Sequence, residues 1–175
     1  MTRFGYVMAA YFAAMATIVT AFIHPLPRLI WNASASTPIG LYAVWRTDAP
    51  RRGELVVVAP PERLATFLAA RGYLPSGVPL LKHVAAVSGQ RVCRIGDSIT
   101  VDRMSLANAR RRDSRGRALP VWQGCQTVGR NEVFLLNADV PDSLDGRYFG
   151  PLPISAVLGR ATPMLTRPTP GRPLK

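Results

Sequence analysis

The chain has 175 residues, 48% of them hydrophobic, with a formal net charge of +12, which bounds it to one domain of ordinary size with a basic surface. Sixteen prolines and fourteen glycines spread along it argue against a helical bundle and for short strands joined by many turns. Such a field suits nucleic acid, anionic lipid or acidic partners, but aromatics are only 8% and are not interleaved with the basic residues as single-strand binding requires, so nucleic acid is not the expected partner.

Residues 4–23, FGYVMAAYFAAMATIVTAFI, contain no charge. At helical rise twenty residues span roughly 30 Å, the thickness of a bilayer hydrocarbon core. His24 and Pro25 close the segment, and its apolar part is longer than a signal peptide needs. A retained transmembrane anchor over residues 1–24 is therefore expected, with a cleaved signal as the alternative. Arg3 and Arg28 flank it and bias its orientation only weakly.

Downstream, a small polar cluster, Asn32–Thr37, precedes Pro38-Ile39-Gly40 and a strand-like run over Leu41–Arg46. Glu54–Ala59 reads as a buried strand, and Pro60-Pro61-Glu62 opens a short helix that runs through Arg71 and stops at Gly72. Leu80–Val87, Arg91–Arg94 and Asp97–Val101 are expected strands. Periodicity then fades from Asp102 to Val121, where NARRRDSRGR reads as a solvated loop or as a grip for phosphates. Glu132–Asn137 and Ile154–Ala161 return to strand, separated by the loop-rich VPDSLDGRYFGPLP, and residues 162–175 read as a frayed tail. The fold class is mainly β with one or two short helices, plus the N-terminal transmembrane helix. Residues 25–175 form one domain, with about 93–130 as a cysteine-bounded insertion.

Cys93 and Cys125 match no zinc or redox spacing. Behind an export segment, one even pair suggests a disulfide in an oxidising compartment; two buried free thiols are the other reading. No set of zinc ligands, phosphate-binding loop or other cofactor motif appears, so neither metal nor cofactor is expected.

Lysine is the unusual residue. Of 22 basic side chains only Lys82 and Lys175 are lysine, and Lys82 lies in the apolar run Val78–Val87. A lysine amine can be neutralised by burial, whereas a guanidinium cannot, so Lys82 is either a chemical base or a stem covering apolar surface. A Ser–His–Asp triad is poorly served, because the two histidines are His24 at the membrane edge and His83, which alternation turns away from the face of Lys82. A serine with a distant lysine base remains, and Ser36 in SASTPIG is the best candidate, although most serines in such turns serve only the turn.

NASASTPIGLY, RGYLPSGVPLLKHVAAVSGQRVC and DSLDGRYFGPLP followed by LGRA resemble, in order, the motif blocks of conjugative transfer signal peptidases of the TraF type. These share a clan with signal peptidase I. The resemblance implies Ser36 as nucleophile and Lys82 as general base, with Ser34 assisting the oxyanion. It also implies Ser143 as the lysine's hydroxyl partner and Asp145–Arg147 as a buttressing pair. The chain departs from signal peptidase I at His83, where arginine is common, at Gln90, where aspartate is common, and at Gly146, where that enzyme has serine. The SxP spacing is that of the TraF branch.

The implied activity is that of a membrane-anchored serine endopeptidase cutting a pilin-like or other exported precursor, by hydrolysis or with cyclisation. It would sit in the inner membrane in contact with its lipids, with the domain facing the periplasm. The competing readings are a non-enzymatic assembly factor of a transfer channel and a general signal peptidase. The sequence leaves the oligomeric state open.

Overall fold

The structure, a computed structural model, describes residues 2–22 and 28–167. Helix α1 (Arg3–Phe22) is followed by β1 (Leu29–Asn32), β2 (Gly40–Trp45), β3 (Leu55–Val58), α2 (Glu62–Ala70), β4 (Leu80–Ala86), β5 (Arg91–Ile95), β6 (Ser98–Val101) and β7 (Met104–Asn108). Then come β8 (Gly124–Thr127), β9 (Glu132–Leu135), α3 (Gly146–Phe149), β10 (Leu152–Pro153), a 3-10 turn at Ile154–Ala156, and β11 (Val157–Thr166). Among the described residues the strands form a seven-stranded sheet, β1-β2-β11-β3-β4-β9-β10, and a four-stranded sheet, β7-β6-β5-β8. All the pairings are antiparallel.

Both faces of the large sheet are covered at β3, which explains why it reads as an unbroken apolar run. Val57 packs with Tyr42, Leu81 and Ala161, while Val56 and Val58 pack on the other side with Val84, Val133 and Leu135. A third cluster, Ala86, Val92, Ile99, Val101, Val128, Phe134 and Leu136, welds the small sheet to the end of β4 and β9. Each fully buried aliphatic side chain contributes roughly 1.5–3 kcal/mol, so these clusters hold the two sheets as one body.

Three expectations change. The tail is not frayed from residue 162: β11 runs to Thr166, with Thr162 opposite Ala43 and Leu165 opposite Leu41, while residues 168–175 lie outside the described part. The long loop after Asp102 instead begins with a β6–β7 hairpin, turned at Asp102 and Arg103 with φ of 47° and 70°. Positive φ at both central positions is the geometry for which Asn-Gly is the usual signal, so Asp-Arg concealed it. Asp102 holds the turn through its carboxylate, which accepts from Gln90 Nε2 and the Arg91 amide.

The third concerns the anchor. Among the described residues no helix is long and apolar enough to cross a membrane. The N-terminal segment does form helix α1, and from Phe4 to Val19 every side-chain position except Gly5 and Met8 is exposed. The expected boundary at His24 and Pro25 lies outside the described residues.

Candidate active site

The site is built from three segments far apart in sequence. The first is the turn between β1 and β2, organised by the buried Asn32. Its Nδ2 donates to Thr37 Oγ1 at 2.8 Å and to the carbonyls of Ser34, Thr37 and Pro38. Its Oδ1 accepts from the amide and hydroxyl of Ser34 at 3.0 and 2.8 Å. Tyr42 Oη donates to the Pro38 carbonyl at 2.6 Å. Gly40 closes the turn at φ 150°, where a Cβ would fall 2.1 Å from the Leu165 carbonyl oxygen; only glycine lets β11 approach so closely. The result fixes Ser36 half-buried at the rim, its Oγ 3.2 Å from Ser34 Oγ.

The second segment is β4, which carries Lys82 opposite Val56. Lys82 is 3% exposed, and its Nζ donates to Ser143 Oγ at 2.7 Å. Burial brings its pKa from 10.5 down to about 8; Asp145 opposes that and Arg147 adds to it, both more weakly. An amine in this setting is partly neutral near neutral pH and can take a proton from a hydroxyl brought against it.

The third segment, Asn137–Phe149, wraps the buried Asp145–Arg147 pair. Arg147 Nε and Nη2 each donate to an Asp145 carboxylate oxygen at 2.9 Å, and Nη2 also reaches the carbonyls of Asn137 and Val140. Asp145 therefore spends its charge on arginine, and Lys82 has a hydroxyl rather than a carboxylate as its hydrogen-bond partner. Asp145 also caps α3 by accepting from the Arg147 amide.

The structure brings Lys82 to Ser143, Ser34 to Ser36, and Asp145 to Arg147. No hydrogen bond joins Ser36 Oγ to Lys82 Nζ; the two are linked through Asn137, whose Nδ2 donates to the Ser36 carbonyl at 2.9 Å and the Leu81 carbonyl at 3.2 Å. His83 is half-buried, with Nδ1 3.1 Å from Asn137 Oδ1. Cys93 and Cys125 form a disulfide across the directly paired strands β5 and β8, in the small sheet. Among the described residues no group of three or more histidine, cysteine, aspartate or glutamate side chains could hold a metal.

The small sheet and its loops also brace the third segment. The buried Arg94 donates to the Arg147 carbonyl at 2.6 Å, Trp122 Nε1 to the Gly146 carbonyl at 3.0 Å, and the Arg110 amide to Tyr148 Oη at 3.0 Å. Gly146 has no room for the serine side chain of signal peptidase I, since a Cβ would lie 2.6 Å from Phe134 Cε2. In the arginine-rich stretch Asp113 is the organiser: it accepts from Tyr73 Oη at 2.5 Å and Arg117 Nε at 2.7 Å. The tyrosine hydroxyl above all, then the Arg117 contacts, hold its carboxyl well below the usual carboxylate range. Arg110 pairs with Asp142 and Arg111 with Asp97, so part of this charge is used within the protein.

Arg94, Trp122 and Asn137 escaped the sequence reading because each acts on backbone groups of distant segments, and Asn32 because its partners, Ser34, Thr37 and Pro38, lie in an irregular turn that no periodicity marks.

The family described as signal peptidase, peptidase S26, matches residues 1–165. The chain is 40% identical over 149 residues to the conjugal transfer protein TraF of Agrobacterium fabrum, covering 77% of this chain and 81% of that one. It is 38% identical over 145 residues to a probable conjugal transfer protein TraF of Sinorhizobium fredii, covering 77% and 76%. A plasmid transfer protein TraF of Escherichia coli is 35% identical over 148 residues, covering 77% and 81%. Among solved structures, a signal peptidase I from Enterococcus faecalis aligns at 20% identity and TM-score 0.40, over 67% of this chain and all of that one. Matched over nearly its whole length, with TraF proteins as relatives, the chain belongs to the S26 signal peptidase family.

Proposed function

We propose that the protein is a serine endopeptidase in which Ser36 is the nucleophile and Lys82 the general base, acting on an exported precursor of a conjugation apparatus. The observation that carries this reading is a buried lysine of lowered pKa whose amine is oriented by a serine hydroxyl. Neutral Lys82 takes the Ser36 hydroxyl proton as Oγ bonds to the scissile carbonyl carbon, whose π electrons move onto oxygen. The Ser36 amide and the Ser34 hydroxyl, which donates to Asn32 Oδ1 in the free enzyme, receive that oxyanion. Collapse breaks the C–N bond, Lys82 returns its proton to the leaving amine, and an ester to Ser36 remains. Water then loses a proton to Lys82 as it attacks the ester, the C–Oγ bond breaks, and Ser36 Oγ takes that proton back as the carboxyl product leaves; attack by a substrate amine in place of water would give a cyclic product.

The TraF names of the relatives favour a transfer-system substrate such as a pilin-like precursor. Residues 1–24 are taken as a membrane anchor: helix α1 presents Phe4, Tyr6, Val7, Phe12 and Ile18 at 52–72% exposure, apolar surface that lipid would cover. The disulfide fits an oxidising compartment and so supports a domain, residues 25–175, that faces the periplasm from the inner membrane.

The test is mass spectrometry of candidate precursors produced with wild-type, Ser36→Ala and Lys82→Arg enzyme. Both variants should leave the precursor uncut, and wild-type cleavage should rise with pH through about 8 as Lys82 loses its proton. Processing that survives Lys82→Arg, or that depends on His83 instead, would refute the dyad. A non-enzymatic assembly factor should keep its role in transfer with Lys82→Arg.

A further inference from the structure

Asn137 is 4% exposed and stands two residues beyond the end of β9, outside every motif block that suggested the site. Each of its polar atoms is engaged, and the partners are telling. Nδ2 donates to the carbonyl of Ser36, 101 positions away, and to the carbonyl of Leu81. Oδ1 accepts from the amide of His83 at 3.1 Å and lies 3.1 Å from its Nδ1. The side chain thus holds the backbone of Ser36 with one end and clasps both peptide neighbours of Lys82. Its own amide donates to Asp145 Oδ2 at 3.0 Å and its carbonyl accepts from Arg147 Nη2 at 2.9 Å.

We propose that Asn137 is a positioning residue that sets the separation and orientation of Ser36 and Lys82. This rests on the dyad reading. The turn bearing Ser36 is otherwise organised by Asn32 within itself and has no hydrogen bond to β4, so the amide of Asn137 is the hydrogen-bonded link between the nucleophile's backbone and the base's strand. The attack requires the two reacting atoms to be held near 3 Å in a fixed direction, and misplacement by about 1 Å reduces rate on the order of 100-fold. A side-chain amide suits this place, because the junction needs a donor for two carbonyls and an acceptor for an amide. Aspartate would offer only oxygens to the Ser36 and Leu81 carbonyls.

The test compares full-length wild type, Asn137→Ala, Asn137→Asp and Asn137→Ser on a precursor that wild type cuts, with Ser36→Ala and Lys82→Arg alongside. Thermal melting establishes the folded state. The expected result is a fall in kcat of about 100-fold for the alanine and aspartate variants with KM changed less than about threefold, since Asn137 acts on the catalytic pair rather than on substrate. In Asn137→Asp a new carboxylate joins His83, Asp145 and Arg147 around the lysine strand. The rising limb should therefore move to higher pH, while the deficit persists above it, where Lys82 is neutral. Folded variants with kcat within about threefold of wild type, a loss carried by KM, or recovery of Asn137→Asp at high pH would each overturn the proposal. Failure of all three variants to fold would assign Asn137 to the fold and overturn it too. Activity retained by Ser36→Ala or Lys82→Arg would instead bring down the dyad itself.

Discussion

Replacing Lys82 by methionine keeps the length and apolar stem of the side chain and removes the amine. In the wild type the folded pKa is about 8 against 10.5 unfolded, with burial as the main cause. The unfolded chain therefore binds more protons between those values, and the stability of the wild type rises as pH rises through that window. Below pH 8 both states are protonated and the full penalty for burying the ammonium applies; above 10.5 both are neutral and it is gone. At roughly 1.4 kcal/mol per pH unit the penalty is about 3 kcal/mol at pH 7. Lys82→Met escapes it but loses the Nζ–Ser143 bond and strands a buried hydroxyl, a loss of roughly 1–3 kcal/mol. Urea denaturation of both proteins at steps from pH 7 to 10.5 isolates the titration, because groups shared by the two cancel. The stability of Lys82→Met relative to wild type should fall by about 3 kcal/mol across the range. A difference constant to within about 1 kcal/mol would show that Lys82 is not held at a lowered pKa by burial.

Ser143→Ala removes the hydroxyl that fixes the lysine amine, and precursor cleavage should lose on the order of 100-fold in kcat with little change in KM, measured by initial rates. Asp145→Asn leaves the buried Arg147 cation without its carboxylate; chemical denaturation should show a loss of about 3–5 kcal/mol, far more than for an exposed pair. Replacing both cysteines of the 93–125 disulfide by alanine should lower stability by about 3–4 kcal/mol for a loop of this length, read from the shift in urea midpoint. Cleavage by the fraction that remains folded should persist, since the disulfide lies in the small sheet.

The parts of the molecule that were legible in the sequence are those governed by local periodicity or by unusual residue choice. Strands β3 and β4 and helix α2 follow from apolar runs bounded by proline and glycine, and Lys82 stood out because arginine fills almost every other basic position. Hairpin β6–β7 was hidden by an Asp-Arg turn, and the extension of β11 to Thr166 by the prolines around it, which an outer stretch of strand tolerates. The site was half legible: motif order pointed to Ser36, Lys82 and Ser143, but Asn137, which ties the Ser36 backbone to the lysine strand, works on carbonyls and an amide supplied by other segments. Only tertiary structure assembles such partners.

The small sheet looks like a detachable insertion: one excursion between β4 and β9, stapled by its own disulfide. Its bonds deny that independence. Arg94, Trp122 and the Arg110 amide all end on the short stretch Gly146–Tyr148, whose middle residue is the arginine partnering Asp145. For protein engineering this makes residues 91–127 and 143–149 a single inheritance unit. A minimised protein made by trimming the excursion would lose the outer wall of the candidate site's floor, and a chimera that exchanged one of these stretches without the other would join a jig to the wrong workpiece.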